Sequence, residues 1–133
     1  VDLSEYQTSG PEDRGFVESV TRSLKRDLPL DYIEFLCSSG GGEGVFGQDY
    51  LVVFPGAELL KMNAEYEVEK YAPGLFLFGS NGGGEGFAFD LTDAARPVVM
   101  MPFVGMDRKY AKHVAASFTE LVDRMESGDD LFS

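Results

Sequence analysis

Ten of the chain's 16 glycines fall in two short windows: Gly40, Gly41, Gly42, Gly44 and Gly47, then Gly79, Gly82, Gly83, Gly84 and Gly86. The pentapeptide Gly-Gly-Gly-Glu-Gly stands in both, at 40–44 and at 82–86. A glycine fixed in regular structure costs about 0.5–1 kcal/mol relative to alanine. Such crowding needs a geometric reason, either positive φ or main chain approaching main chain where no Cβ fits. One copy follows a helical pattern and the other a strand pattern, so they read as two independent turns rather than a repeat. Gly42-Glu43-Gly44-Val45-Phe46-Gly47 matches the dinucleotide fingerprint in letters only. That motif needs a strand before it and a helix after it; the order here is reversed, and Glu43 would set a carboxylate beside the phosphates. No Gly-Lys dipeptide occurs, which removes a Walker A loop.

The apolar pattern around the glycines predicts the elements. Pro11, Glu12 and Asp13 open a helix whose stripe is Phe16, Val17, Val20 and Leu24. Leu28-Pro29 breaks it and starts a second helix, with Tyr32, Phe35 and Leu36 inward and a stop at Ser38-Ser39-Gly40. A strand over 51–54 closes at Pro55-Gly56, and 57–71 reads as a third helix interrupted at Asn63, with Glu58, Glu65 and Glu69 toward one face. Strands over 75–78 and 87–91 flank a hairpin loop, 79–86, in which Asn81 and the glycines are expected to be left-handed. A strand over 98–104 contains Pro102, which cannot donate to a ladder and favours an edge. Ser117 stands three residues before Glu120, the spacing of a capping box. Phe118, Leu121, Val122 and Met125 follow at helical spacing, and Gly128 stops that helix. Strands lying between helices without regular alternation point to an α+β fold, one mostly antiparallel sheet with about four helices. The unbroken apolar runs 75–78 and 98–101 require cover on both faces.

At 133 residues and 44% hydrophobic, with 11 Phe and 6 Tyr, the chain reads as one folded domain, 1–133, with its core at about 11–128 and flexible ends at 1–10 and 129–133. Eleven basic against 23 acidic side chains give a net charge of −12, a field that repels phosphate backbones. No basic stripe offsets it: the densest cluster, Arg22, Lys25 and Arg26, has acids on its flanks. Nucleic acid is thus excluded as a partner, and no apolar run approaches the ~18 residues of a membrane span. A single cysteine, Cys37, and a single histidine, His113, exclude a disulfide framework, a multi-cysteine zinc site and the two-histidine protease motif. The chain opens without Met and without a basic-then-apolar leader, so a cytoplasmic, reducing setting is expected. His113 has no nucleophile or orienting acid near it in sequence, and Cys37 reads as an inert thiol on a helix. Asp49, Glu85, Asp90 and Asp93 are the carboxylates that would have to converge on a divalent cation, without EF-hand spacing to support it. Asp90 reads instead as the acceptor for the turn at Thr92 and Asp93. No catalytic residues, cofactor or metal are expected.

Two motifs carry a family resemblance. Leu28-Pro29-Leu30-Asp31-Tyr32-Ile33-Glu34-Phe35-Leu36, running into Ser39-Gly40-Gly41, resembles the first signature of the Smi/Knr-type proteins, the yeast cell-wall-regulator-like members of the SUKH superfamily. Pro73-Gly74-Leu75 through Phe78-Gly79-Ser80-Asn81-Gly82-Gly83-Gly84-Glu85, then Phe87-Ala88-Phe89-Asp90, is similar to the second, and Ser117-Phe118 opening the last helix is similar too. Ser39 stands where the family often has Asn, and Phe54 where it often has Trp. The resemblance implies a curved, largely antiparallel sheet packed with helices. It also implies a non-enzymatic role: in bacteria, an immunity protein that neutralises a cognate toxin, often a nuclease; in fungi, a scaffold in cell-wall signalling. The leading expectation is a protein partner held by the Gly-rich loops and their acids, Glu43, Asp49, Asn81, Gly83, Glu85 and Asp90, on a monomer or weak homodimer. The alternatives are a regulatory scaffold and a small hydrolase built on an Asp49/Glu85/Asp90 metal cluster.

Overall fold

A computed structural model describes residues 3–24 and 26–131; Lys25 of the basic cluster lies outside the described residues, as do 1–2 and 132–133 of the expected flexible ends. Seven strands form one sheet: β1 Tyr6–Thr8, β2 Gly42–Phe46, β3 Asp49–Val53, β4 Leu75–Ser80, β5 Glu85–Asp90, β6 Val98–Pro102 and β7 Lys112–Ala115. Sequence order is also spatial order, and every neighbouring pair is antiparallel. Helices α1 Arg14–Arg22, α2 Leu30–Ser38, α3 Gly56–Glu65, α4 Val68–Tyr71 and α5 Phe118–Ser127 fill the connections and the C-terminal end. The fold is α+β, as expected. No helix among the described residues is long and apolar enough to cross a membrane.

The two halves of the sheet are built differently. In β4, β5 and β6 nearly every residue is buried, so the apolar runs at 75–78 and 98–101 are covered on both faces. In β1–β3 burial alternates: Tyr6, Gly44 and Leu51 lie opposite one another and are buried, while the next row, Gln7, Glu43 and Val52, faces outward. The signature tyrosine of α2 occupies the centre of the core. Tyr32 meets Phe89 at 5.0 Å and Phe118 at 5.4 Å between ring centroids, and Phe78 stacks on Phe89 at 4.2 Å. Such pairs contribute about 0.5–1.5 kcal/mol each beyond the area they bury. The predicted cap of α5 forms: the Ser117 hydroxyl accepts from Glu120 N, and Gly128 ends the helix at φ 80°. Asp31 adds a tie the sequence did not show, accepting from the amide and hydroxyl of Thr119 at 2.9 and 2.8 Å.

Several expectations are corrected, each for a local reason. α1 starts at Arg14 rather than Pro11, because the Asp13 carboxylate caps Phe16 N while Glu12 is drawn away to the amides of Gly41 and Gly56, at 2.8 and 2.9 Å. Phe16 of the expected stripe remains exposed. The long third helix breaks at Tyr66-Glu67, where Glu67 turns left-handed at φ 50°, so Glu58 and Glu65 are separated from Glu69 and share no helix face with it. Asn63 does not break the helix. Its amide donates to Leu77 O and accepts from Leu77 N, both at 2.8 Å, standing in for a neighbouring strand just before the irregularity at Gly79. β6 is interior, not an edge; Pro102 lies past the end of its pairing with β7, so its missing N–H costs nothing. Outside 11–128, the Tyr6 hydroxyl of β1 donates to Gly40 O at 2.8 Å, and Leu131 is buried.

The first glycine window is half turn and half strand. Gly42 and Gly44 lie inside β2, and a Cβ on Gly44 would sit 2.2 Å from the main-chain oxygen of Glu5, so β1 can lie where it does only against glycine. A Cβ on Gly84, in the second window, would meet nothing within 4 Å. Gly44→Ala is therefore expected to cost at least about 2 kcal/mol in urea unfolding, and Gly84→Ala to stay within about 0.5 kcal/mol. Asn63→Ala, which strips Leu77 of both partners, is expected to lower stability by about 2–3 kcal/mol without changing the fold seen by far-UV circular dichroism.

Candidate functional site

The β2–β3 hairpin turns at Gly47-Gln48, and its register sets Glu43 opposite Val52 and Val45 opposite Tyr50. Because side chains alternate, these four share the outward face. Val45 is 40% and Tyr50 37% exposed, and Glu43 is exposed with them. The Tyr50 hydroxyl donates to Glu43 Oε1 at 2.7 Å. That hydrogen bond, with lesser effects from desolvation and from the Glu43 charge, moves the phenol upward from its ordinary range. Across the strand pairing of Val52 with Ser80 comes the hairpin loop 81–84. Its Gly82 lies against the Tyr50 ring, where a Cβ would meet Cδ2 at 2.7 Å. Glu43, Tyr50, Val52, Asn81 and Gly82 together line a depression of about 490 Å³.

Asn81 shapes the loop by its side chain, not by a left-handed backbone as expected: its Oδ1 accepts from Gly83 N at 2.9 Å and Glu85 N at 3.3 Å, while Gly82 alone in 81–84 has positive φ. Gly82 N in turn donates to Ser80 Oγ at 2.9 Å. Three of the loop's four amides, those of Asn81, Gly82 and Gly83, thus donate within the loop and its flanks. Gly83 is exposed at its tip and Glu85 half-buried at its base.

Of the six residues expected to form one surface, the structure brings Glu43, Asn81 and Gly83 to this end of the outward face; Glu85 adjoins Gly86, which stands in the row of Val52 and Ser80, so alternation sets Glu85 on the other face. Asp49 pairs with Phe46 and so belongs to the opposite face, in a second depression lined by Gln48, Tyr50, Asn81, Met125 and Leu131 among others. Burial, then the nearby Asp130 carboxylate, pushes its pKa up. Asp90 is remote: β5 puts it five residues from Glu85, ~17 Å along the strand. There it accepts from Thr92 N at 3.0 Å, as the turn reading expected, and pairs with Arg108 at 2.9 Å. Asp49, Glu85 and Asp90 do not converge, and no group of three His, Cys, Asp or Glu among the described residues is placed to hold a metal. His113 is exposed on β7, and the half-buried Cys37 thiol is pushed up chiefly by burial.

Sequence reading missed Tyr50 and Val45. The period-two signal was present, exposed Glu43 and Val45 alternating with buried Gly44 and Phe46, but glycine at a core position carries no hydrophobic mark. It also missed the charge layout. β1 to β6 contain no Lys or Arg at all, while Glu43, Asp49, Glu85 and Asp90 lie within them.

Asp90 supplies a pH test. Burial raises its pKa, but hydrogen bonds from Thr92 and the Arg108 guanidinium outweigh that and hold it below the usual carboxylate range. A depressed folded pKa contributes stability that is present above the unfolded value and lost as pH falls through the folded one, here below about pH 4. Arg108→Gln is expected to raise the Asp90 midpoint in a carbon-13 carboxyl titration, and to shrink the stability lost on acidification.

A sequence profile of the SMI1 / KNR4 family (SUKH-1) matches residues 15–124. No individual curated protein matches the chain. The matched span runs from the first helix into the last. It takes in the Leu28–Leu36 segment that seats Tyr32 in the core and the β4–β5 hairpin that presents Asn81. The chain belongs to the SMI1 / KNR4 family (SUKH-1).

Proposed function

We propose that this chain is a non-enzymatic, cytoplasmic protein-binding module: an immunity protein that binds a cognate toxin, a basic nuclease fitting best, and neutralises it. The observation that carries the reading is the open face of β1–β3. It presents Glu43, Val45, Tyr50 and Val52 beside the 81–84 loop, in a sheet whose first six strands are free of any basic side chain. Family membership supports a binding role. The field of a −12 domain speeds encounter with a basic, nucleic-acid-seeking surface and opposes binding to nucleic acid itself. Apolar anchors rimmed by charge are what a partner surface needs, since a few buried aromatic contacts dominate affinity and rim charges set the on-rate.

The test reads the genes flanking this chain's own for a toxin domain and takes that domain as the partner; flanking genes that encode none contradict the immunity role. Glu43→Lys and Glu85→Lys are expected to slow association several-fold at low salt and to flatten its salt dependence, with the melting temperature unchanged. Association rates equal to wild type in both variants contradict this surface; failure of the chain to rescue growth of cells making the toxin contradicts the immunity role.

A further inference from the structure

The geometry points to an arginine subsite: the depression between Glu43 and the 81–84 loop accepts one guanidinium presented by a basic protein partner, set against the Tyr50 ring. The inference rests on the reading that this face binds a protein, and it names the side chain that enters first.

Four observations lead there. Glu43 is held, because the Tyr50 hydroxyl donates to Oε1 at 2.7 Å, while Oε2 has no hydrogen bond among the described residues. A carboxylate held in one orientation with an open oxygen is an acceptor ready for a charge-assisted hydrogen bond. Tyr50 is fixed as well, by that bond at one end and by Gly82 against its ring. Its exposed ring offers a flat, electron-rich surface, the partner that a guanidinium stacks on better than an ammonium does. Val52 supplies an apolar wall for the methylene stem of a long side chain. Among the described residues no ion pair engages Glu43, and Lys and Arg are absent from β1–β6, from the Gly47-Gln48 turn and from loop 81–84. A second copy of the chain is a poor occupant, because two domains of −12 repel.

The test is a nitrogen-15 NMR titration of the full chain at low ionic strength with N-acetyl-arginine amide. N-acetyl-citrulline amide serves as the neutral isostere and N-acetyl-lysine amide as the ammonium control. The expected result is saturable shifts confined to the amides around Glu43, Tyr50 and Gly82, none with citrulline, and weaker binding with lysine. Glu43→Gln, which keeps size and fold, is expected to weaken arginine binding about threefold, the scale of one exposed charge pair. Glu58→Gln removes the same charge from exposed α3 and is expected to change nothing. Shifts scattered over all acidic surfaces, equal binding of citrulline or lysine, or equal effects of the two Gln variants would each overturn the subsite. The wider reading fails separately. A toxin slowed by Glu85→Lys while arginine shifts stay scattered removes only the subsite; confined arginine shifts with a toxin indifferent to Glu43→Lys and Glu85→Lys remove only the toxin-binding face.

Discussion

One carboxylate ties together the segments that the open face hangs from. Glu12 accepts from Gly41 N, where α2 gives way to β2, and from Gly56 N, where β3 gives way to α3. The two amides are far apart in sequence and adjacent in space, so the bond pair closes the base of the β2–β3 hairpin and fixes it to the start of α1. Hydrogen bonds to a charged acceptor contribute about 1.5–3 kcal/mol each, and an amide left bare here would lose that and gain a desolvation cost. Everything that faces the solvent on this hairpin, Glu43, Val45 and Tyr50 included, takes its position from that closure. Asn63 does the same for β4: where the ladder with β3 ends, a side-chain amide continues it.

The sheet that results is asymmetric in burial and in charge. Its centre is dry on both faces and spends its side chains on packing, with Tyr32, Phe78, Phe89 and Phe118 as the nucleus. Its β1–β3 side is packed on one face only, and the other face is left with a short row of acid, aliphatic and aromatic side chains. Among the described residues, the basic side chains lie in helices, β7 and the connections, where Arg14, Lys61, Lys70 and Arg124 pair with acids of their own neighbourhood. The strands β1–β6 thus carry carboxylates without any basic side chain among them, although most of the chain's acids lie on the helices and connections. That separation leaves Glu43 and Tyr50 on strands without a basic side chain of their own, which is the feature the proposed encounter with a basic protein relies on.

Much of this was legible in the sequence where a residue type has one dominant use. The cap, stripe and stop of α5 read correctly because Ser117, Phe118, Leu121, Val122, Met125 and Gly128 all argue for the same helix. The two motif segments identified the family for the same reason. What stayed hidden depends on partners distant in the chain. Gly42 and Gly44 read as turn, since nothing local reveals that β1 would press against them. Glu12 read as a helix-dipole residue and Asn63 as a breaker, although Glu12 accepts from the amides flanking the β2–β3 hairpin and Asn63 bonds Leu77 of β4, all distant in the chain. The site was half legible: the loop and Glu43 were found from glycine and charge, whereas Tyr50, the residue that orders Glu43, became visible only through the strand register. Asp49 and Asp90 share the composition of that site but not its place, one lying on the other face and one at the far end of β5.

The claim on which the account turns is where a partner lands. Hydrogen–deuterium exchange of the free chain and of its complex with the proposed toxin partner tests this directly. The account predicts slowed exchange over 43–52 and 81–85, with the groove between α2 and α5, lined by Asp31, Phe35, Thr119 and Val122, unchanged. Protection concentrated in that groove, with the β2–β3 hairpin exchanging as in the free chain, would contradict it.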